Sequence, residues 1–394
     1  MISNVELQRK RIGLTQTELS AKTGISRRTL SSIEKATSIP SVDIALKLAT
    51  ILNSKVEDLF CFDAEPTVII PENVALEQTT SHTQNKWSKF TFIDLFAGIG
   101  GIRLGFESVG GKCVFSSEFD EDACKTYEAN FGEHPSGDIT KINAADIPDF
   151  DILLGGFPCQ AFSIIGKKEG FANETCGTLF FDIERILKEK RPKAFMLENV
   201  RNLVAHDNGN TFKVIKEHLE ALGYTVHAKV LNALDYGVPQ KRERIIIVGF
   251  LKNIPFEFPK PIEISERLTL ADILEEDVDS RYYVRDNIRI SRLERLRDKA
   301  YPKPYISHEN MAGSVTPHPY SSALRAGASA NYILINDERR PTEREMLRIQ
   351  GFPDTFKIVL PYGKIKKQCG NSVAVPVIKA VAVEMLKSLR NYDN

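Results

Sequence analysis

The stretch Gly155-Gly156-Phe157-Pro158-Cys159-Gln160 follows the short apolar run Phe150-Asp151-Ile152-Leu153-Leu154. The apolar run predicts a buried strand, and the glycines and proline predict that this strand ends abruptly. Cys159 then lies at the carboxyl end of a strand, where open α/β sheets bind their ligands. A thiol at that place is a candidate nucleophile, although a free cysteine is more often a buried structural residue. The surrounding segments are needed to decide between the two.

The overall composition sets the class of protein. The chain has 394 residues, of which 42% are apolar and 26% charged, and its formal net charge is zero. This length predicts two or three domains, and a zero net charge means that any nucleic-acid-binding surface is local. No apolar run reaches the roughly 20 residues of a membrane helix, and the first residues lack a signal segment. We therefore expect a cytoplasmic protein with no membrane partner.

The cysteines predict reduced thiols rather than a metal site or a disulfide scaffold. They form no CxxC pair and have no histidine at ligand spacing. The six are Cys61, Cys113, Cys124, Cys159, Cys176 and Cys369.

Residues 1–60 predict short helices separated by tight breaks. Thr15 and Glu18 have the spacing of a capping box, Gly24 ends that helix, and Ser26 caps the next one. Two helices joined by a short turn that contains glycine make a helix-turn-helix. Its second helix would lie along a DNA groove and would present Arg27, Arg28, Thr29 and Ser32.

This N-terminal pattern resembles the phage-repressor-like helix-turn-helix family, on the segments Leu14-Thr15-Gln16, Gly24-Ile25-Ser26 and Ile33-Glu34. The resemblance implies a domain that binds an operator in double-stranded DNA and represses transcription, and that can dimerise. The alternative is a small helical bundle that only mediates dimerisation. Residues 61–89, which contain two prolines and a polar run, predict a linker.

Strands and helices alternate over residues 90–250, which predicts a doubly wound α/β domain. The first strand leads into Ala97-Gly98-Ile99-Gly100-Gly101, a turn that lets the backbone approach a ligand closely. The next strand ends in Glu118, about twenty residues after the glycines, where such folds bind ribose hydroxyls. A third element closes with Gly137-Asp138-Ile139. Because the pyrophosphate fingerprint GxGxxG is missing, the spacing suits a nucleoside-containing cofactor such as S-adenosylmethionine.

Charged residues also follow later strands of this domain. Glu198 is expected just past a strand, so that it can share one crevice with Cys159, and Arg242 and Arg244 flank another apolar strand. Each alone is more often a solvated surface charge. Their occurrence together, in this order, indicates a site.

Six motifs, which occur in the same order as in the family, resemble those of the DNA (cytosine-5)-methyltransferases, especially those of bacterial restriction–modification systems. They are residues 92–101, 156–160, 198–200, 240–244, 340–354 and 368–373. The resemblance spans residues 90–390 and implies a Rossmann-like S-adenosylmethionine-dependent methyltransferase fold. It implies methyl transfer to C5 of cytosine in a short specific double-stranded DNA sequence, which protects that DNA from a partner restriction endonuclease.

The resemblance also implies roles for single residues. Cys159 would attack C6 of cytosine, Glu198 would hydrogen-bond N3 and the exocyclic amine, and Arg244, supported by Arg242, would contact O2. Covalent addition at C6 makes C5 nucleophilic, and the base must leave the stack to be reached. The loop from Ala161 to Thr178 would be the lid.

The resemblance assigns two further groups of residues. Those for the cofactor are Phe96, Ala97, Gly98, Ile99, Gly100, Gly101, Glu118, Phe119, Asp138, Ile139, Pro158, Leu179, Asn371, Ser372 and Val373. Those for DNA are Gln160, Ser163 and Gln240. The sequence departs from the family at Cys176, where an arginine is frequent, and at Ala323-Leu324, where the family has Thr-Leu.

Residues 251–335 predict a smaller, irregular target-recognition domain. Its basic segment, Arg285 to Lys303, could follow a phosphate backbone, and Arg325 could reach base edges. The alternative is an irregular insertion with solvated charges. Residues 336–394 are expected to return to the catalytic domain through a helix from Val373 to Leu389.

Two other functions remain open on the sequence. One is a DNA-binding regulator with a silent methyltransferase body, against which the intact Cys159, Glu198 and Arg244 argue. The other is an RNA cytosine-5 methyltransferase, since one RNA-modifying branch shares these motifs. The repressor-like N-terminus favours DNA.

Overall fold

The computed structural model describes residues 2–12, 14–35, 38, 40, 42–52, 54, 56–61, 89–157, 179–296 and 301–390. The chain divides into two compact units, Met1–Ser81 and His82–Asn394. The segment 158–178 lies outside the described residues, and it contains the predicted site residues Pro158, Cys159, Gln160 and Ser163 as well as Cys176 and the predicted lid. Within the described residues, no helix has the length and apolar character needed to cross a membrane.

The N-terminal unit is a helical bundle closed by a short ribbon. Its capping agrees with the prediction, because the Thr15 hydroxyl accepts from the Glu18 N–H at 3.2 Å and Ser26 accepts from the Thr29 N–H at 3.1 Å. The fifth helix and the antiparallel pair of strands were not predicted. The elements are β1 (Ile2–Ser3), α1 (Val5–Arg11), α2 (Gln16–Thr23), α3 (Arg27–Glu34), α4 (Val42–Ile51), α5 (Val56–Leu59) and β2 (Phe60–Cys61).

A buried ion pair fixes α3 against the first two helices. The Glu34 carboxylate accepts from Arg9 Nε at 2.6 Å and from Gln16 Nε2 at 2.6 Å. A buried pair with added hydrogen bonds is satisfied in only one geometry, which favours a unique packing. Arg27 and Arg28, at the start of α3, are exposed.

The larger unit is built on a six-stranded sheet with the order β4-β3-β5-β6-β9-β7. The first four strands in this order are parallel, and β9 runs antiparallel to both of its neighbours. The doubly wound α/β prediction is confirmed, although the reversed strand was not predicted. The strands are β3 (Phe90–Leu95), β4 (Gly111–Ser117), β5 (Ile152–Gly156), β6 (Ala194–Val200), β7 (Thr225–Asn232), β8 (Gln240–Lys241) and β9 (Glu243–Phe250), of which β8 lies outside this sheet.

Helices cover both faces because successive residues of each strand point to opposite sides. On β3, Phe92 packs in one core together with Ile378, while Ile93 packs in the other together with Ile183. The helices of this part are α6 (Gly101–Glu107), α7 (Glu121–Phe131), α8 (Leu179–Lys190) and α9 (Asn210–Ala221).

One local prediction needs correction, and one is made more specific. The element predicted to close with residues 137–139 is followed by a 3-10 turn, Ile139–Lys141, that is capped by Asp138. Glu198 lies inside β6 rather than after it, because β6 continues to Val200 where it pairs with Arg244 of β9.

The remaining residues add a small sheet and the returning helix. Strands β10 (Ile306–Glu309), β11 (Val315–His318) and β13 (Ile333–Ile335) form an antiparallel sheet that was not predicted, and β12 (Ser321–Ser322) pairs with β8. The helices are α10 (Leu270–Ile273), α11 (Asp286–Leu296), α12 (Glu343–Ile349), α13 (Tyr362–Asn371) and α14 (Val375–Leu389).

The contact between α6 and α14 requires a glycine. A Cβ placed on Gly105 would lie 2.6 Å from Ile378 Cγ2 and 3.1 Å from the Lys379 backbone nitrogen. The two helices therefore approach each other through the missing side chain, and this contact holds the end of the chain on the face of the sheet.

We expect Gly105→Ala to lower the free energy of unfolding by about 1–3 kcal/mol, the usual cost of overpacking. Denaturant titration of the full chain, followed by intrinsic fluorescence, would measure it. Gly363→Ala is the matched control, since a Cβ there meets nothing within 4 Å. A helical alanine at that place should be neutral or stabilising by up to about 1 kcal/mol. Equal effects of the two variants would contradict the close-approach explanation.

Candidate active site

The glycine turn after β3 is held by Glu118. The Gly98 N–H donates to Glu118 Oε2 at 2.8 Å, and the Asp120 N–H donates to Oε1 at 2.8 Å. Each carboxylate oxygen thus keeps a lone pair that can accept a further hydrogen bond. Gly98 has φ of +56°, and a Cβ there would meet nothing within 4 Å. The turn is therefore open on one side, with a fixed carboxylate at its edge.

These residues fit a nucleoside. Phe119, next to Glu118, is 73% exposed, which is unusual for a phenylalanine and leaves its ring free to stack. Asp138 is half-buried, and hydrogen bonds from Thr140, followed by other local contacts, lower its pKa. The Ile139 side chain is buried in the core, so a ligand can reach only its backbone. Ribose hydroxyls at Glu118 and a base against Phe119 would match this chemistry.

The C-terminal motif closes this region from the other end of the sequence. A Cβ on Gly101 would lie 2.7 Å from Ser372 Oγ and 3.0 Å from Val373 Cγ2. Residues that the sequence separates by about 270 positions therefore touch. Asn371 is exposed, Leu179 is half-buried at the start of α8, and both remain available to a ligand.

A carboxylate and a guanidinium meet at the end of β6. Arg244 Nε lies 3.0 Å from Glu198 Oε1, and both side chains are mostly buried. The approach is an ion pair rather than an aligned hydrogen bond, since Oε1 has no hydrogen-bond partner in the structure. Glu198 stands opposite Gly156 of β5, and a Cβ on Gly156 would lie 3.5 Å from Glu198 Oε2. The carboxylate thus lies beside the strand that leads into Pro158 and Cys159.

The Arg242 guanidinium makes its hydrogen bonds to backbone carbonyls rather than to the Glu198–Arg244 pair. It is buried and donates to the carbonyls of Leu324 at 3.0 Å and Gly370 at 3.1 Å, and also to the carbonyl of Ser372. Burial, followed by the like charge of Arg244, lowers the pKa of Arg242 to about 9. These contacts indicate a positioning residue.

The prediction that Gln240 contacts DNA disagrees with its burial. Gln240 is completely buried, its Nε2 donates to the Ile349 carbonyl at 2.9 Å, and its Oε1 accepts from the Leu324 N–H at 3.2 Å. All of its polar atoms are used inside the protein, and the side chain joins β8 to α12. Arg325, in contrast, is exposed.

Asn199 is a residue to which the sequence analysis gave no role. Its Nδ2 donates to the Phe157 carbonyl at 2.8 Å, and its Oδ1 accepts from the Val200 N–H at 2.8 Å. The bond fixes the backbone immediately before Pro158 and Cys159. The only signal in the sequence was its place inside the motif Glu198-Asn199-Val200.

Known proteins share both parts of the chain. Residues 90–387 match the family model of the C-5 cytosine-specific DNA methylases, and residues 5–59 match a helix-turn-helix model. The type II methyltransferase M.HaeII of Haemophilus aegyptius is 59% identical over 303 residues, covering 76% of this chain and 94% of that protein. The type II methyltransferase M.SsoII of Shigella sonnei is 41% identical over 404 residues, covering 98% of each. The solved S. pombe Dnmt2 methyltransferase, 18% identical, has a TM-score of 0.57 and covers 77% of this chain and 100% of that one, which supports the fold.

The chain therefore belongs to the C-5 cytosine-specific DNA methylases, and the predicted family is confirmed. It is a DNA methyltransferase of the type II restriction–modification family with a helix-turn-helix domain. Membership implies S-adenosylmethionine as methyl donor and double-stranded DNA as partner. It favours the DNA enzyme over the RNA-modifying alternative.

We expect Asn199→Ala to lower kcat for methyl transfer about 10- to 100-fold, because misplacing a reacting group by about 1 Å has effects of this size. The variant removes the hydrogen bond that Asn199 Nδ2 donates to the Phe157 carbonyl, next to Pro158 and Cys159. Initial-rate kinetics would measure kcat, and calorimetry should find unchanged cofactor affinity. Asn202→Ala, an exposed neighbour, should behave as wild type. An unchanged kcat in Asn199→Ala would rule out this positioning role.

Proposed function

We propose that this protein methylates C5 of cytosine in one short double-stranded DNA sequence through a covalent adduct between Cys159 and C6 of a flipped-out base. The observation that carries the proposal is the Glu198–Arg244 pair at 3.0 Å, beside the end of the strand that leads into Cys159. A carboxylate and a guanidinium at fixed positions suit a cytosine. The carboxylate would face N3 and the exocyclic amine, and the guanidinium would face O2.

The residues would divide the chemistry as follows. The Cys159 thiolate forms a bond to C6, and the electron pair moves toward C5 while charge develops at N3 and O2. Glu198 hydrogen-bonds N3 and the exocyclic amine, and Arg244 stabilises the charge at O2, where a preorganised donor is most effective. Bound S-adenosylmethionine supplies the methyl group. A base then removes the C5 proton, the C6–sulfur bond breaks, and the thiolate is released.

The cofactor would lie across the glycine turn. Glu118 would accept hydrogen bonds from the ribose hydroxyls, Phe119 would stack on the adenine, and Asp138 would contact its edge. The backbone of residues 96–101 would face the methionine part, and Asn371, Ser372 and Val373 would close the pocket.

The N-terminal unit would bind an operator as a repressor, and the chain would act beside a restriction endonuclease. The exposed Arg27, Arg28 and Thr29 on α3 support groove contact. Dimerisation through this unit would match a palindromic operator. We propose the following domain limits for the chain. The N-terminal unit comprises residues 1–60, a linker 61–89, the catalytic domain 90–250, the target-recognition domain 251–335, and the segment that returns to the catalytic domain 336–394.

The first test is methyl transfer from labelled S-adenosylmethionine to unmethylated genomic DNA, with 5-methylcytosine located at base resolution. We expect label in one short motif, no activity in Cys159→Ser, and a loss of about 10²- to 10⁴-fold in Glu198→Gln. Glu243→Gln, whose carboxylate pairs with the exposed Arg201, is the matched control and should stay active. Normal activity of Cys159→Ser would refute the adduct.

The operator proposal has its own test. We expect Arg28→Ala to weaken binding to the protein's own promoter fragment about tenfold or more, the value of one good groove contact, with unchanged methylation. Lys22→Ala, exposed on α2, is the control for loss of a nearby charge. Removal of residues 2–60 should abolish promoter binding and spare methylation. Loss of methylation in the truncated chain would contradict the assignment of operator binding and methylation to separate parts of the chain.

A further inference from the structure

The exposed Arg325 is carried by a loop that lies between β12 and β13, from Leu324 to Ala328. The polar backbone groups of a loop are satisfied by side chains or by water rather than by a neighbouring strand. The side chains that bind this loop therefore decide where Arg325 stands.

Side chains from other elements fix the first half of the loop. The Leu324 N–H donates to Gln240 Oε1 at 3.2 Å, and the Leu324 carbonyl accepts from Arg242 Nη1 at 3.0 Å. The Arg325 N–H donates to the Tyr332 hydroxyl at 3.0 Å. The backbone is thus held on both sides of the Leu324–Arg325 peptide bond.

The ammonium group of Lys366, on α13, holds the second half of the loop. Lys366 Nζ donates to the Ala328 carbonyl at 2.5 Å and, over a longer distance of 3.4 Å, to the Ala326 carbonyl. Helix α13 also packs directly against the loop, because a Cβ on Gly370 would lie 2.2 Å from the Ala326 nitrogen. A single cation with three donors therefore joins the two carbonyls that follow Arg325.

Lys366 and Arg325 approach the same aromatic ring. Lys366 Nζ lies 5.7 Å and Arg325 Cζ lies 5.0 Å from the centroid of the Tyr332 ring, which is the range of cation–π contacts. Burial, followed by the charge of Arg325, lowers the pKa of Lys366. The protein therefore holds two like charges near each other at an electrostatic cost, which an anionic ligand would offset.

The Arg325 side chain lines a cleft of about 420 Å³ together with Tyr332 and Glu309. The Glu309 carboxylate is paired with Arg292 at 2.9 Å and with Arg295. Arg325 Nη2 lies 3.4 Å from His308 Nε2. A guanidinium has five N–H donors, so Arg325 keeps donors that a ligand in this cleft can use.

We infer that Lys366 is a positioning residue for DNA recognition, because it fixes the loop from which Arg325 reaches the DNA. The inference rests on the proposed methylation of one short DNA sequence and on the predicted contact of Arg325 with base edges. A bidentate arginine contact needs two N–H groups to meet one base at the same time. Since Lys366 bonds to this loop rather than to the Glu198–Arg244 pair, it acts on the choice of site rather than on methyl transfer.

The test measures discrimination, the ratio of kcat/KM on a duplex with the methylated motif to kcat/KM on duplexes with one base pair of that motif changed. We expect Lys366→Met to lower this ratio about tenfold or more for at least one base pair, the size of one good base contact. The kcat on the motif should change no more than about twofold, as should the affinity for S-adenosylmethionine measured by calorimetry. Lys366→Arg, which keeps a cation with N–H donors, should retain most of the discrimination.

A double variant separates positioning from a general loss of structure. Arg325→Ala alone should lower discrimination at the same base pair, and Lys366→Met should add nothing in the Arg325→Ala protein, because it acts through that side chain. Lys364→Met is the matched control. Lys364 lies on the same helix but pairs with Asp122 of α7, so this variant should discriminate as wild type does.

Unchanged discrimination in Lys366→Met or in Arg325→Ala would overturn the inference. So would an equal loss from Lys366→Met with and without Arg325, which would indicate a role in stability alone. A wild-type protein that methylates none of the duplexes and no genomic DNA would instead contradict the proposed function, so the two failures are distinguishable.

Discussion

Three chain segments that are far apart in sequence meet at one guanidinium group. Arg242 donates to the carbonyls of Leu324, Gly370 and Ser372, and none of these acceptors carries a charge. A buried cation without a carboxylate partner is costly unless it is hydrogen-bonded. Nη1 and Nη2 depend on these three carbonyls for their hydrogen bonds, and Nε has no partner in the described part of the chain. The segment that borders the β10–β11 hairpin, the C-terminal motif and the catalytic sheet are thereby held together.

The candidate site is positioned by strand register more than by side-chain contacts. Pairing of β5 with β6 puts Gly156 opposite Glu198, and pairing of β6 with β9 puts Arg244 opposite Val200. Sites on paired strands hold their geometry better than sites on loops. Asn199 extends this control one step further, because it fixes the Phe157 carbonyl beyond the last residue of β5.

Much of the fold could be predicted from signals that involve residues close together in the sequence. Thr15 and Ser26 cap their helices as predicted, because a cap depends on residues only three positions apart. The glycine turn and Glu118 were predicted separately, and the structure joins them by one hydrogen bond. The reversed direction of β9 and the buried role of Gln240 were not predictable, since both depend on partners distant in sequence. Gln240, for example, bonds Ile349 and Gln350, about 110 residues away, and an isolated glutamine is normally a surface residue.

Because α14 lies at the end of the chain, its place in the core imposes an order on folding during synthesis. Phe92 and Leu154 belong to a core that also contains Ile378, Val381 and Met385 of α14, so this face of the sheet is only partly covered until the last helix has been made. The helix-turn-helix unit has no such delay, because its last strand, β2, pairs with β1 and ends at Cys61. All of its elements have therefore been made once residue 61 has been added. On the ribosome, the first unit can fold while most of the second is still unmade. A chain released before α14 would therefore carry a finished helix-turn-helix unit on a catalytic body that cannot close.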